Sequence, residues 1–212
     1  MTELVSVEGG GAAARAALER TIADGGVAVF PADGLYGLAC DPLGPAAIER
    51  IHRLKGRDDG KPSAVIYFSP LAMRELVAGL GPRTKAAVSA LLPGPLTLVV
   101  ANPEGRYPLA CREDAGRLGV RLLGGPLAGA MCPIFQTSAN RSGEPAPARF
   151  DEVLDSILAG ADLAIDGGAL TGLPSTVVDV TAIDEDGSWT ILREGAVSEG
   201  DLVSALASFG VD

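Results

Sequence analysis

A single α/β domain with a mixed sheet flanked by helices is what the 212 residues predict. Short apolar runs bounded by glycine and proline alternate with segments of helical periodicity, the pattern of strands buried between helices. Two helical segments then follow one another, and an acidic turn near the C-terminal end separates two candidate strands. Both features break the strict alternation of a purely parallel sheet. Hydrophobic residues make up 47% of the chain, ample for one core, and no repeat, low-complexity linker or compositional shift divides it.

The elements follow in order. Gly9-Gly10-Gly11 precedes an alanine-rich helix, Ala12–Ala23, with Leu18 and Ile22 on one face and Gly25-Gly26 at its end. Residues 27–30 are apolar and read as a strand that Pro31 closes, leading to a turn with Asp33, Gly34 and Tyr36. Ala47, Ile48, Ile51 and Leu54 recur at helical spacing, so a helix runs from about Pro45 and stops at Gly56, which takes the left-handed conformation. Residues 64–68 are a second buried strand. Ser69-Pro70 caps a helix through about Val77, and another spans residues 83–92.

Pro93-Gly94-Pro95 turns into a strand over 96–100. Residues 117–122 form a further strand, with Leu118, Val120 and Leu122 on one face and Arg117, Gly119 and Arg121 on the other. A short helix over 126–131, a strand over 134–137, an amphipathic helix over 150–158 and a strand over 163–165 come next. Residues 175–180 and 188–193 read as a strand pair joined by a hairpin turn at Asp184-Glu185-Asp186-Gly187. Ser198 caps a final helix ending near Phe209-Gly210.

The formal net charge of -10 argues against coating nucleic acid or an anionic membrane through the overall field. Cations nevertheless concentrate in Arg50, Arg53, Lys55, Arg57 and Lys61. The helix dipole favours basic residues at a helix C-terminus, but Arg57 and Lys61 lie beyond that end in a Gly/Pro loop, which points to an anion ligand. Cys40, Cys111 and Cys132 are scattered and odd in number, so they read as buried thiols. The N-terminal residues lack a basic stretch followed by an apolar one, and no run approaches the roughly 18 apolar residues of a membrane span, so the expected location is cytoplasmic.

Absent chemistry narrows the rest. The single histidine, His52, excludes zinc sites built on paired histidines and all but one Ser-His-Asp arrangement; no protein-held metal is expected. The only Gly-Lys pair, Gly60-Lys61, is followed by proline, so there is no P-loop, and no Gly-x-Gly-x-x-Gly fingerprint follows a strand. What remains sits where strands or helices end: Lys55 and Arg57, Arg117 and Arg121, Ser138 and Asn140, Ser175, and Arg193. That set is rich in positive charge and hydrogen-bond donors and has no nucleophile or evident general base. It suits phosphoryl or nucleotidyl transfer, where catalysis is positioning and charge stabilisation.

These segments resemble the YrdC-like threonylcarbamoyl-AMP synthases. The family's Lys-x-Arg and Ser-x-Asn stand here as Lys55-Gly56-Arg57 and Ser138-Ala139-Asn140. Pro31-Ala32-Asp33-Gly34-Leu35-Tyr36-Gly37-Leu38, Pro93-Gly94-Pro95-Leu96-Thr97-Leu98, Val120-Arg121, Ser175-Thr176-Val177-Val178-Asp179 and Leu192-Arg193-Glu194-Gly195 follow the family's order, and the resemblance is strongest over residues 26–195. It implies a twisted sheet with a basic concave face over one domain, residues 1–212, matching the short form without an extra C-terminal domain. It implies formation of threonylcarbamoyl-AMP and pyrophosphate from L-threonine, bicarbonate and ATP, with Mg2+ on the triphosphate, for tRNA threonylcarbamoyladenosine modification. Lys55, Arg57, Ser138 and Asn140 would form the catalytic core. ATP would meet Lys55, Arg57, Arg117, Asn140 and Arg193, and threonine would meet Asp33, Arg121, Ser138 and Ser175.

The partners so implied are the three substrates and a downstream tRNA threonylcarbamoyl transferase complex, with tRNA or double-stranded RNA as a further binding partner and no membrane. Where the family usually has Pro-Thr, an acidic residue and another threonine, this chain has Pro31-Ala32-Asp33-Gly34, and Ser63 replaces an apolar residue after Lys61-Pro62. Ala32 and Gly34 are the features behind a second reading, a non-catalytic paralogue that binds RNA or a nucleotide. Carbamoyl transfer from carbamoyl phosphate is a third, usually accompanied by additional domains.

Overall fold

The computed structural model describes residues 1–56 and 61–208. Ten strands form one sheet: β1 (Glu3–Ser6), β2 (Ala28–Ala32), β3 (Leu35–Cys40), β4 (Ala64–Tyr67), β5 (Leu96–Ala101), β6 (Arg117–Leu122), β7 (Ile134–Ser138), β8 (Leu163–Asp166), β9 (Thr176–Asp179) and β10 (Thr190–Arg193). Their spatial order is β1-β8-β2-β3-β7-β4-β6-β5-β9-β10. The β1/β8, β2/β8, β4/β6 and β5/β9 pairs are parallel and the others antiparallel, so the sheet is mixed.

The helices are α1 (Ala12–Ala23), α2 (Pro45–Lys55), α3 (Pro70–Ala78), α4 (Pro82–Leu91), α5 (Pro108–Cys111), α6 (Asp155–Leu158), α7 (Ile183–Asp186) and α8 (Glu199–Ala207). Gly56 ends α2 at φ 61°, and Ser69 and Ser198 accept amide hydrogens at the starts of α3 and α8. The residues expected to end the last helix, Phe209-Gly210, lie outside the described residues. Among those described, no helix is long and apolar enough to cross a membrane.

Several expectations are corrected. Pro31 does not close β2 but lies inside it, opposite Tyr36 of β3. The β8 partner reaches only Ala28 and Val29, so no ladder bond is required of the proline nitrogen. Tyr36, read as part of a turn, lies in the strand Leu35–Cys40, and that strand, β1 and α5 had no counterpart in the sequence reading. The expected helix over 126–131 is a 3₁₀ turn, Gly125–Leu127. The helix expected over 150–158 is a 3₁₀ turn at Phe150–Glu152 followed by α6, because Val153 and Leu154 are extended. The hairpin turn between β9 and β10 is the helical turn α7, closed by Gly187 at φ 85°.

Coverage of the two sheet faces decides where a ligand can sit. On one face Tyr36, Leu38, Val65, Leu98, Leu118 and Val120 pack in the large core beneath the helices. On the other, α1 lays Ala14, Ala17, Leu18 and Ile22 over Ala28, Phe30 and Ile165, at the β1-β8-β2 end. Beyond that end the second face carries a cavity.

Candidate active site

The period of two along each strand assembles this cavity. Leu96, Leu98 and Val100 of β5 go into the large core, so Thr97 and Val99 face the opposite way; in β6, Leu118 and Val120 go into it and leave Arg117, Gly119 and Arg121 on the cavity side. Ser138 at the end of β7, Ser175 just before β9 and Arg193 at the end of β10 complete a cavity of about 500 Å³. Lys61 and Asp114 also line it, and no histidine or cysteine is among the described lining residues.

Arg121 is 4% exposed and pairs with Asp33, Nη2 to Oδ2, at 2.7 Å. Its Nε is buried without a partner, and so is that of Arg117. Arg117 is held by Asp179 and stands 3.6 Å from Asp114. Arg193 donates to the Ser175 carbonyl at 2.7 Å and to its hydroxyl at 3.0 Å, and the Ser175 and Thr97 hydroxyls are bonded at 2.9 Å. Three guanidinium groups thus stand on one wall, two with donors to spare.

Lys55 and Asn140 meet beside the cavity, at the turn that carries Ser138 into its lining. Lys55, which the family resemblance sets against ATP, is 2% exposed. Its ammonium donates to the carbonyls of Ser138 and of Asn140, the latter at 2.9 Å, and lies 3.3 Å from both side-chain oxygens. An ammonium taken from water needs such a cage of oxygens, so its partners fix its position. Asn140 donates to the carbonyls of Arg141 and Glu144, at 2.9 and 2.5 Å, and closes its own loop. Arg57 lies outside the described residues. Asp33 reaches Arg121 from behind the cavity, while Ser138 and Ser175 lie in its lining.

Leu173 and Pro174 form a wall that sequence reasoning missed, and residues 167–172 seat it. The Tyr36 hydroxyl donates to the Gly168 carbonyl at 2.8 Å and accepts from the Gly167 amide at 2.9 Å. The Gly172 amide donates to the Gly34 carbonyl at 2.9 Å. A Cβ on Gly34 would run into the carbonyl of Leu173, so glycine at 34 lets the segment seat and brings Leu173 and Pro174 to the cavity. Thr97 was legible by the alternation that found Arg117 and Arg121. The Gly34 contact was not, because the sequence carries no sign of what lies against residue 34.

Burial pushes the Asp33 carboxyl up from its ordinary value, and the Arg121 guanidinium opposes that rise. Burial pulls Arg121 down, Asp33 partly restores it, and the neighbouring Arg193 charge lowers it again. Partial desolvation of its guanidinium also lowers Arg193, although the residue as a whole is exposed. Arginine stays protonated throughout, so these directions describe cations held in a site where an anion would relieve them.

The model of the Sua5/YciO/YrdC family, described as telomere recombination, matches residues 20–195. A threonylcarbamoyl-AMP synthase of Nitrosococcus oceani is 36% identical over 154 residues, covering 66% of this chain and 82% of that one. One of Xanthomonas axonopodis is 33% identical over 187 residues, covering 84% and 97%. Among solved structures, P. abyssi Sua5 complexed with L-threonine superposes with a TM-score of 0.80 at 25% identity, over 97% of this chain and 60% of that one. The present chain therefore spans about three-fifths of that protein. The fold is also that of E. coli YciO, with a TM-score of 0.79 at 23% identity, over 95% and 100% of the two chains.

Proposed function

The chain belongs to the Sua5/YciO/YrdC family, and from that premise we propose that it is an L-threonylcarbamoyladenylate synthase, a nucleotidyltransferase that consumes L-threonine, bicarbonate and ATP. The threonine amine and bicarbonate condense to a carbamate with loss of water. A carbamate oxygen then attacks the α-phosphorus of ATP, the bond to the bridging oxygen breaks, and pyrophosphate leaves.

The observation that carries this reading is the trio Arg117, Arg121 and Arg193 on one wall of a cavity without histidine or cysteine among its described lining residues. Two unit negative charges about 4 Å apart repel by about 4 kcal/mol at an effective dielectric near 20, and the attack brings a carbamate up to a polyphosphate. Guanidinium forks fixed before the anions arrive offset that repulsion without reorganisation. Arg121, buried beside Asp33, and Ser175 are assigned to the amino-acid carboxylate. Arg117 and Arg193 are assigned to the nucleotide, and Ser138 to the reacting groups. Lys55 and Asn140 then act as positioning residues that hold the Ser138 turn.

Magnesium comes to such a site on the triphosphate, where it neutralises phosphate charge. The donor set fits a hard cation that keeps most of its waters, since Asp114 lines the cavity beside serine and threonine hydroxyls. Asp114 would hold one of those waters. The mixed anhydride formed requires an acceptor amine, which fits transfer to tRNA adenosine by a separate complex in the cytoplasm.

The test is pyrophosphate release from ATP with magnesium and bicarbonate, with and without L-threonine. Threonine-dependent release is expected. ATP binding with no release under either condition contradicts the synthase reading.

A further inference from the structure

A second cavity of about 490 Å³ lies beside the first, and the Asp33–Arg121 ion pair divides them: Arg121 lines the first and Asp33 the second. Five strands deliver their carboxyl ends to it, through Val7 after β1, Asp33 after β2, Phe68 after β4, Leu123 after β6 and Gly167 after β8. The carboxyl ends of strands are where α/β sheets hold ligands, because the chain there turns away and leaves a crevice. Nothing in the proposed reaction uses this one.

Its chemistry is specific. Phe68, Leu123 and Leu127 form a buried apolar floor, and the rings of Pro31, Pro93 and Pro126 stand at its sides. Asp33 is the only charged side chain among the described lining residues. It sits at φ 64°, in the left-handed region that aspartate tolerates better than most residues and that fixes where its carboxylate points. One carboxylate oxygen takes the Arg121 hydrogen bond, and no other described residue donates to Asp33. A cationic ligand would meet the adjacent guanidinium, whereas an uncharged donor meets a pair already neutral overall. Rigid proline sides over an apolar floor suit a flat ring.

We propose that this second cavity binds an uncharged heteroaromatic ring that donates one N–H to Asp33. Gly124 supplies the control, because it lines the cavity, has φ −85°, which any residue adopts, and a Cβ there meets nothing within 4 Å. A bulky side chain at 124 is therefore accommodated at an exposed edge of the second cavity, and residue 124 does not line the first.

The experiment uses the full chain without substrates and measures the affinities of indole and of its isostere benzofuran, which lacks the N–H, by saturation-transfer NMR. Indole is expected to bind about tenfold or more tighter, the effect of one hydrogen bond to an ionised acceptor. Gly124→Phe should weaken binding of both rings, Asp33→Asn should remove the preference, and saturating ATP should leave indole bound. Equal affinities in the wild type, indole binding unchanged in Gly124→Phe, a preference retained in Asp33→Asn, or displacement by ATP would each overturn the proposal. If Gly124→Phe does not fold, the Asp33→Asn and ATP results decide.

Discussion

Lys55 and Arg193 carry the same charge and opposite burdens. Lys55 is caged by oxygens of Ser138 and Asn140, so Lys55→Met leaves buried carbonyls unpaired. We expect a loss of about 2 kcal/mol or more in urea unfolding, with synthase activity lost through the displaced Ser138 turn. An unchanged unfolding midpoint would show that the cage is not structural. Arg193 is exposed and bonds only Ser175 among the described residues. Arg193→Ala should therefore change stability by no more than about 0.5 kcal/mol yet reduce pyrophosphate release by about tenfold to a hundredfold, the effect of losing one or two charge-assisted contacts to the reacting anions. Wild-type rates in that variant would remove Arg193 from the site. The two arginines of β6 were legible because alternation in a strand is local. The burial of Lys55 was not, since its partners lie 83 and 85 residues away.

Between elements, two ties deserve measurement. The 167–175 segment seats only because Gly34 has no side chain, so Gly34→Ala must push Leu173 outward. We expect about 1–3 kcal/mol of destabilisation, as for other overpacked sites, and faster proteolysis within 167–175; an unaltered midpoint would mean that the segment moves freely. Asp162 joins β8 to α2 and β2, with Arg50 at 2.7 and 3.1 Å and the Val27 amide at 2.8 Å. Burial pushes its carboxyl up, but the Arg50 hydrogen bonds, the Val27 amide and the Arg50 charge outweigh that and hold it below the usual carboxylate range. A depressed folded pKa contributes stability that is fully present above the unfolded value of about 4 and is lost as pH falls through the folded one. Asp162→Asn should cost about 1 kcal/mol at neutral pH, and the gap from wild type should close in acid. A gap constant down to low pH would assign the effect to packing. Strands β2, β4, β5 and β6 were readable from apolar runs and turn residues. β3 was not, because Gly37 and the preceding Asp33-Gly34 imitate a loop, and only pairing with β2 and β7 makes the segment a strand.

At the scale of the molecule, a chain of net charge -10 gathers cations on one wall. The mixed α/β class followed from the succession of strands and helices, since two consecutive helices and a C-terminal strand pair exclude pure alternation. Which sheet face would stay open did not follow, because it depends on α1 covering only the β1-β8-β2 end. That partial cover leaves Arg117, Arg121 and Arg193 around one cavity, where the anionic substrates would meet them. The most direct measurement is incorporation of labelled bicarbonate into a threonylcarbamoyl-adenylate, in wild type and in Arg121→Lys. Threonine-dependent product is expected in the wild type and a loss of about a hundredfold in the variant, because a point charge replaces a fixed fork. Product formed equally well by Arg121→Lys, or labelled adenylate made without threonine, would contradict the synthase reading of the site.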